Sequence, residues 1–214
     1  MKHKYSIPLC LLAMLLAGSP ALHAAAQDWR FAVYLGEREI GEHRFTLAPR
    51  TDGMHINIDA QFRVKFLFIN AYEYAHQNYE VWRGECLHSI HAQTDDNGDV
   101  QFVRGTRDGA SMKLLTHTGE QQLQGCVRSF AYWDPDLLES THLLNAQTGE
   151  ILPVSIEALG TMVIEVRGRS VLARHYRLVT EKFSIELWYA ADTREWVSLQ
   201  TTLADGNTLR YQIL

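Results

Sequence analysis

The sequence lacks the local motifs that identify the common families of enzymes and nucleotide-binding proteins. It contains no G-x-S-x-G, H-E-x-x-H, C-x-x-C, P-loop or G-x-G-x-x-G pattern. Clusters of basic residues are also absent, and 25 acidic side chains outnumber 20 lysines and arginines. Because nucleic acids are held by basic patches, we expect no nucleic-acid partner. The sequence also indicates no cofactor and no metal site.

Long apolar runs are absent except near the N-terminus. Lys2 and Lys4 precede a short apolar run from Ile7 to Leu16, and the small residues Ala24 to Ala26 follow it. This order is typical of a secretory signal peptide that spans residues 1–26, and the run is too short to cross a bilayer. We therefore expect a periplasmic or secreted protein that does not span the membrane, with residues 27–214 forming a single domain.

Cysteine is scarce, since the chain contains three and Cys10 lies inside the predicted signal peptide. An even count in an oxidising compartment favours a disulfide between Cys86 and Cys126. A flat four-stranded meander between them would separate them by about 14 Å, whereas a disulfide needs α-carbons within about 7 Å. Three alternatives remain open: a strongly bent sheet, a different strand count, or two buried thiols.

The pattern that dominates the sequence is short alternation of apolar and polar residues between turn residues, as from Trp29 to Leu35. Asn97-Gly98 is a strong hairpin signal, because both residues accept a positive φ. The other predicted turns are Gly36–Arg38, Arg50–Gly53, Arg107–Gly109, His117–Gly119, Gln147–Gly149, Arg167–Arg169, Ala191–Arg194 and Asp205–Asn207. This spacing predicts an all-β domain with ten or eleven antiparallel strands. So many strands form a single curved sheet, a half-open or closed β-barrel, with one or two short helices at its mouth.

The best helix candidate is Pro135 to Ser140, with Asp134 as its N-cap. Tyr132 and Trp133 lead directly into it, so the helix is a candidate lid or plug of the barrel. Trp133 either lines a cavity beneath this lid or seals a filled interior.

The stretch from Phe66 to Trp82 has an unusual stripe, which is aromatic at both ends and polar in the middle. We expect the stripe to face inward on the curved sheet. Its polar centre, from His76 to Glu80, argues against a fully dry core, because buried polar groups need partners. The candidate ligand-binding residues are Phe66, Phe68, Tyr72, Tyr74, His76, Trp82 and Trp133.

His76 and Glu80 are also the first candidates for an acid–base pair, because both fall on one face of one strand. Four residues separate them, which is roughly 13 Å along a strand and too far for direct contact. We therefore expect no catalytic residues and no enzyme activity.

Several segments together carry a family resemblance. They are "GEHRF" (Gly41 to Phe45), "VKFLFINAYEYAHQNYEVW" (Val64 to Trp82), "TDDNG" (Thr94 to Gly98), "FAYWDP" (Phe130 to Pro135), "LLNAQTGE" (Leu143 to Glu150) and the "LWY…WVSL" pair (Leu187 to Leu199). On these residues the chain resembles a family of uncharacterised exported proteins of Gram-negative bacteria, a domain of unknown function. That family carries no known activity. The pattern is also distantly similar to periplasmic carriers of the LolA/LolB type, which implies a half-open barrel with helices covering an apolar cavity.

Two functions follow from these expectations. The first is a periplasmic protein that binds or carries an apolar ligand such as a lipid in an open interior. The alternative is a structural or partner-binding envelope protein with a filled core and no ligand, docking through an exposed sheet edge. The sequence leaves open whether the interior is hollow.

Overall fold

The computed structural model describes residues 26–66 and 69–214. The predicted signal peptide up to residue 25 lies outside the described residues, and so does Phe68. Of Phe66 only the backbone is described.

The fold is almost entirely β-strand, as the alternation predicted. Thirteen antiparallel strands form one sheet, and two short strands form a separate hairpin. The strands are β1 (Gln27–Leu35), β2 (Arg38–Arg50), β3 (Gly53–Phe66), β4 (Ile69–Arg83), β5 (Cys86–Asp96), β6 (Asp99–Asp108), β7 (Ser111–Thr116), β8 (Gly119–Gln124), β9 (His142–Leu144), β10 (Ile151–Pro153), β11 (Ser155–Val166), β12 (Arg169–Val179), β13 (Ser184–Ala190), β14 (Trp196–Thr202) and β15 (Thr208–Ile213).

The sheet consists of two meanders that meet where the first and last strands pair. Its order is β11-β12-β13-β14-β15-β1-β2-β3-β4-β5-β6-β7-β8, and Phe31 on β1 lies opposite Ile213 on β15. The sheet is curved but does not close, so β11 and β8 remain as its edges. The prediction of a curved antiparallel sheet is confirmed, in its half-open form.

The expected count of ten or eleven strands is too low. The stretch from Phe66 to Trp82 is also not a single strand: Phe66 ends β3 and pairs with Ile69 at the start of β4. The chain therefore reverses between these two residues. The sequence there has no glycine or proline to mark a turn, so the reversal left no signal in the alternation.

The Asn97-Gly98 hairpin forms where it was predicted, between β5 and β6. Both residues have positive φ, 54° for Asn97 and 94° for Gly98. Asp95 accepts the Gly98 backbone N–H at 2.7 Å, which fixes the turn. This tight turn aligns β5 with β6 and so sets the register of the second half of the meander.

The inner face of the curved sheet carries the core. The rings of Phe45 on β2 and Trp196 on β14 lie 5.1 Å apart, although three strand spacings, about 14 Å on a flat sheet, separate their strands. The curvature therefore brings the inner faces of the two meanders together around one hydrophobic cluster.

Residues 125–154, here called the crossing segment, pack into the same cluster. Leu137, Leu143 and Leu144 of this segment are fully buried in it. Burial of three leucines contributes roughly 6 kcal/mol toward holding the segment against the barrel. The segment thus fills much of the interior that the sequence alone left open.

The crossing segment starts with the disulfide. Cys86 and Cys126 are bonded, with α-carbons 5.1 Å apart. The chain turns back after β8 instead of continuing along the rim, and the Leu87 backbone N–H donates to the Val127 carbonyl at 2.9 Å. None of the three alternatives describes this arrangement: four strands lie between the cysteines as assumed, but Cys126 lies beyond β8, where the chain folds back toward Leu87.

A single short helix follows, a 3₁₀ helix at Pro135–Glu139. Asp134 caps it by accepting the Asp136 backbone N–H at 3.1 Å, and it also pairs with Arg128. The predicted cap and first helical residue are therefore correct, and the helix ends one residue earlier than expected. Within the part of the chain that the structure describes, no helix has the length and apolar character needed to cross a membrane.

Candidate functional site

The crossing segment, the inner face of β2 to β4 and two residues of the second meander line a partly open pocket of about 200 Å³. We call it the inner pocket. Its lining combines aromatic, apolar and polar side chains from distant parts of the sequence. They are His43, Phe45, Ile58, Tyr74, His76, Asn78, Glu80, Ser129, Phe130, Tyr132, Asn145, Ala146, Gln147, Phe183 and Tyr211.

Strand β4 supplies the polar wall of the inner pocket. Tyr74, His76, Asn78 and Glu80 alternate along it, and residues two apart in a strand face the same side of a sheet. The last three are at most 8% exposed. The polar centre of the stripe therefore faces inward, as the alternation predicted, although it also adjoins a dense apolar core.

Glu80 is the most deeply buried charged residue of this wall, with 1% of its surface exposed. Its Oε1 accepts from Asn78 Nδ2 at 2.9 Å, and its Oε2 accepts from Trp82 Nε1 at 2.7 Å and Ser129 Oγ at 3.1 Å. No basic side chain in the described residues forms an ion pair with it. Burial raises the pKa of the Glu80 carboxyl, and the three donors oppose that shift.

Two histidines at the inner pocket are neutral at physiological pH. Burial lowers the pKa of His76 to about 4 and that of His43 to about 3. His76 Nδ1 forms a hydrogen bond with Thr94 Oγ1 at 2.8 Å, and His43 Nδ1 forms one with the Tyr211 hydroxyl at 3.2 Å. These bonds fix the orientation of both rings toward the interior.

Two buried polar atoms of the inner-pocket residues have no hydrogen-bond partner among the described residues. They are His43 Nε2 and Asn78 Oδ1. Buried polar atoms are nearly always paired, because an unpaired one costs about 1–3 kcal/mol. The same two residues line the inner pocket.

Aromatic rings form a second part of the wall. Tyr74 stacks on Phe62 with ring centres 5.2 Å apart, and its hydroxyl donates to Gln147 Oε1 at 3.3 Å. On the opposite side, the rings of Phe130 and Phe183 lie 5.7 Å apart. These contacts tie the crossing segment to both meanders, so the shape of the pocket depends on the whole fold.

The structure brings only part of the predicted ligand-binding set to this pocket. Tyr74 and His76 line it. Trp82 lies beneath it as a core residue that donates to Glu80. Tyr72 is half-buried and outside the lining, and burial together with a hydrogen bond to Asp96 raises its pKa.

Trp133 lies outside the inner pocket. Its ring meets Trp82 edge-on at 5.4 Å, and its other side lines an outer cleft of about 600 Å³ at the end of the barrel. Arg167 and Arg194 also line this cleft. Arg194 is paired with Asp136 at 2.9 Å, and Arg167 lies 3.8 Å from Glu195. The cleft therefore offers no free charge from either arginine.

The residues that sequence reasoning missed come mainly from outside β4. His43 and Phe45 are two residues apart on β2 and therefore face the same, inward side of the sheet. This spacing was the one signal in the sequence that could have pointed to His43. Tyr211 and Asn145 reach the pocket only through the pairing of β15 and the path of the crossing segment. No local pattern marks them.

The inner pocket does not assemble an acid–base pair. The Ser129 hydroxyl donates to Glu80, and His76 bonds to Thr94. Within the described residues, no histidine forms a hydrogen bond with Ser129 or Glu80. The described residues also hold no group of three or more His, Cys, Asp or Glu side chains placed for a metal ion.

Comparison with known proteins places this chain in a family. The model of the domain of unknown function DUF6134 matches residues 31–213, which is most of the chain. The chain belongs to this family. No curated protein matches the sequence.

A solved structure shares the fold of this family member. It is a β-barrel-like protein of the domain of unknown function DUF1849 from Brucella abortus. The TM-score is 0.63 at 10% sequence identity, with 87% of this chain and 94% of that chain covered. At this identity the likeness shows a common fold only.

Proposed function

We propose that this protein is a non-enzymatic binding protein of the bacterial periplasm, whose inner pocket holds one small, largely apolar molecule. One observation carries the proposal: aromatic walls surround two buried polar atoms without partners, His43 Nε2 and Asn78 Oδ1. Binding sites commonly combine an apolar surface with a few polar groups that fix the orientation of the ligand.

The volume of the inner pocket favours a small ligand over a whole lipid. Benzene occupies a cavity of about 150 Å³, whereas sites for drug-sized molecules measure about 300–1,000 Å³. The inner pocket has about 200 Å³. Scaled from benzene, that is room for roughly eight non-hydrogen atoms. A phospholipid could place no more than the tip of one chain there.

The electrostatics of the pocket favour an uncharged ligand. His43 and His76 are neutral, and Glu80 already accepts three hydrogen bonds. A neutral molecule with a hydroxyl or amide group would donate to Asn78 Oδ1 and bond to His43 Nε2. Its apolar part would contact the aromatic walls.

Two further observations support the non-enzymatic and periplasmic parts of the proposal. The two pocket histidines bond to Tyr211 and Thr94, and within the described residues neither bonds to Ser129, so the pocket has no serine–histidine pair of the kind that activates a nucleophile. The sequence before residue 27 has the pattern of a secretory signal peptide.

A fragment screen by ligand-observed NMR tests the proposal. The mature protein is expected to bind neutral fragments of about eight non-hydrogen atoms, such as small phenols or aromatic amides. Ala146→Phe, which fills the pocket from the crossing segment, should abolish that binding while the chain stays folded. Ala110→Phe at an exposed turn is the matched control and should bind as the wild type does.

Two results would overturn the proposal. One is fragment binding that is equally strong in Ala146→Phe, which would place the site elsewhere. The other is no binding by any fragment, which would favour the alternative of a partner-binding protein with a filled core. If Ala146→Phe does not fold, Ala146→Leu adds less volume and tests the same wall.

A further inference from the structure

The outer face of β3 and β4 carries three polar side chains that hydrogen bonds join in a row, here called the outer triad. His55 Nδ1 bonds to the Tyr79 hydroxyl, and His55 Nε2 lies 2.8 Å from Asp52 Oδ1. Tyr79 lies opposite Asn57, two residues beyond His55, so the two rings are diagonal neighbours with centres 5.8 Å apart. Asp52 reaches the histidine from the turn between β2 and β3. The inner pocket lies on the opposite face of β4.

The hydrogen bonds of the outer triad run in one direction. The bond from His55 lowers the pKa of Asp52, so its carboxylate is ionised at neutral pH and can only accept. In a neutral ring the proton therefore lies on Nε2, which leaves Nδ1 to accept the Tyr79 O–H. A base that is oriented by a carboxylate and bonded to a hydroxyl is the arrangement that activates a nucleophile.

The members of the outer triad differ in exposure. His55 is only 6% exposed, whereas Tyr79 is 36% exposed. Tyr79 also lines a groove of about 380 Å³ on the outer face, together with the amide side chains of Asn57, Gln77 and Gln93. Tyr79 is therefore the member of the triad that a molecule in this outer groove would contact.

The second tyrosine–histidine contact in the described residues lacks these features. Tyr211 bonds to His43 Nδ1 at 3.2 Å, but His43 Nε2 has no partner there and Tyr211 is only 8% exposed. Tyr34 is half-buried, and its hydroxyl donates to the Glu39 carboxylate at 3.3 Å. Within the part of the chain that the structure describes, an oriented histidine and an accessible hydroxyl thus coincide at Tyr79.

The outer groove limits the class of molecule that could react there. Scaled from benzene in a cavity of about 150 Å³, its volume of about 380 Å³ leaves room for roughly 15 non-hydrogen atoms. Asp59, the carboxylate of its lining, already accepts from Gln61 at 3.3 Å and from Gln77 at 3.4 Å. The groove therefore suits a small, uncharged molecule with polar groups that bond to amide side chains.

We propose that Tyr79 is a nucleophilic tyrosine that accepts one acyl group from a small ester or thioester in the outer groove. Tyr79 Oη bonds to the acyl carbonyl carbon while His55 Nδ1 takes the hydroxyl proton, and Asp52 orients the ring and stabilises the imidazolium. The bond from the acyl carbon to the alcohol or thiol then breaks, and that group leaves with the proton from His55. The products are an aryl ester on Tyr79 and a free alcohol or thiol, so the chain is modified once without turnover.

Acetylation by N-acetylimidazole, a small uncharged acyl donor, tests the proposal on the mature protein. Peptide mapping by mass spectrometry measures the rate at each tyrosine, and Tyr34 is the internal reference. Tyr79 should react at least about tenfold faster than Tyr34, since a positioned general base contributes about 10²–10⁴ in rate. The Ala146→Phe variant should react at the wild-type rate, because this site does not depend on the inner pocket.

Two matched histidine variants identify the base. His55→Gln should lower the Tyr79 rate to about that of Tyr34. His91→Gln changes the exposed histidine directly opposite Tyr79 on β5 and should leave the rate unchanged.

Asp52→Asn tests the positioning role of the carboxylate. The variant keeps an acceptor for His55 Nε2 but removes the charge, so the Tyr79 rate should fall at least about tenfold while the Tyr34 rate stays the same. Asp52 is 53% exposed, so this variant remains informative even if His55→Gln does not fold. Urea denaturation measures the stability of each variant, and a purely structural role would lower stability without slowing acetylation of Tyr79.

Three results would contradict the assignment of Tyr79. The first is an equal acetylation rate at Tyr79 and Tyr34 in the wild type, and the second is an unchanged Tyr79 rate in Asp52→Asn. The third is continuous hydrolysis of p-nitrophenyl acetate that Tyr79→Phe abolishes, which would make the site an esterase instead of a site of single acylation.

Discussion

At the residue scale, the inner pocket places groups with opposite pH behaviour on neighbouring positions of one strand. Burial lowers the pKa of His76 and raises that of Glu80, so both prefer their neutral forms in the folded protein. Protonation of His76 destabilises the fold as pH falls, whereas ionisation of Glu80 destabilises it as pH rises above 4.5. Burial thus favours the uncharged forms of both side chains in the interior.

His76 should make stability depend on acid pH. Its pKa is about 4 in the folded chain against 6.5 as the reference, so between these values the unfolded chain binds the extra proton. The contribution of neutral His76 to the free energy of unfolding is therefore complete above pH 6.5, and it is lost as pH falls toward 4. The shift corresponds to about 3 kcal/mol.

The variant His76→Asn keeps a polar group near Thr94. It should remove much of the fall in the free energy of unfolding between pH 6.5 and pH 4. Urea denaturation at pH 7 and at pH 4.5 measures the free energy of unfolding of both chains. His91→Asn changes an exposed histidine on the neighbouring strand and serves as the control. An identical pH dependence in wild type and His76→Asn would show that His76 is not buried as a neutral ring.

Single residues of this site were only partly predictable. The period of two placed Tyr74, His76 and Glu80 on one inward face, because side-chain direction in a strand follows directly from spacing. The hydrogen bond between His43 and Tyr211 joins residues 168 positions apart. Such a contact depends on the pairing of β1 with β15, which no local pattern specifies.

At the scale of elements, Trp133 connects the crossing segment to the core and not to the inner pocket. The variant Trp133→Ala should lower the free energy of unfolding by about 3 kcal/mol, because the edge-on contact with Trp82 is lost and a cavity remains. Fragment binding in the inner pocket should be unchanged. Little loss of stability together with lost binding would place Trp133 in the ligand site instead.

The disulfide fixes the start of the crossing segment. Replacing Cys86 and Cys126 by alanine should cost about 4 kcal/mol, because the bond closes a loop of 40 residues in the unfolded chain. Guanidinium denaturation measures that loss.

Hydrogen exchange at the Leu87 amide, which donates to Val127, reports whether the crossing segment loosens locally. The wild-type protein under reducing conditions is the matched comparison. Unchanged protection and stability in the double alanine variant would mean that packing of the buried leucines alone holds the segment.

Turns and caps were the elements that the sequence determined best. Asn97-Gly98 and the Asp134-Pro135 cap were predicted because their backbone preferences are local. The reversal between β3 and β4 was missed because it lies in an apolar stretch. The folding-back of the chain after β8 was not predicted, since only the packing of the crossing segment explains it.

At the scale of the whole molecule, the open sheet gives the protein two separate surfaces. The crossing segment covers the concave side and leaves the inner pocket of about 200 Å³. The order of strands leaves β11 as the long edge. The sequence predicted a curved sheet, because so many strands cannot remain flat, but it could not identify the edges. That depends on the pairing of β15 with β1, the two strands farthest apart in the chain.

Native mass spectrometry of the mature protein, purified from periplasm without detergent, tests most directly whether the inner pocket holds a small molecule. We expect one bound neutral species of about 100–150 Da per chain, as scaled from benzene in a cavity of about 150 Å³. The species should be absent from the Ala146→Phe variant and present in Ala110→Phe. A stoichiometric phospholipid, or the same bound mass in Ala146→Phe as in the wild type, would contradict the account.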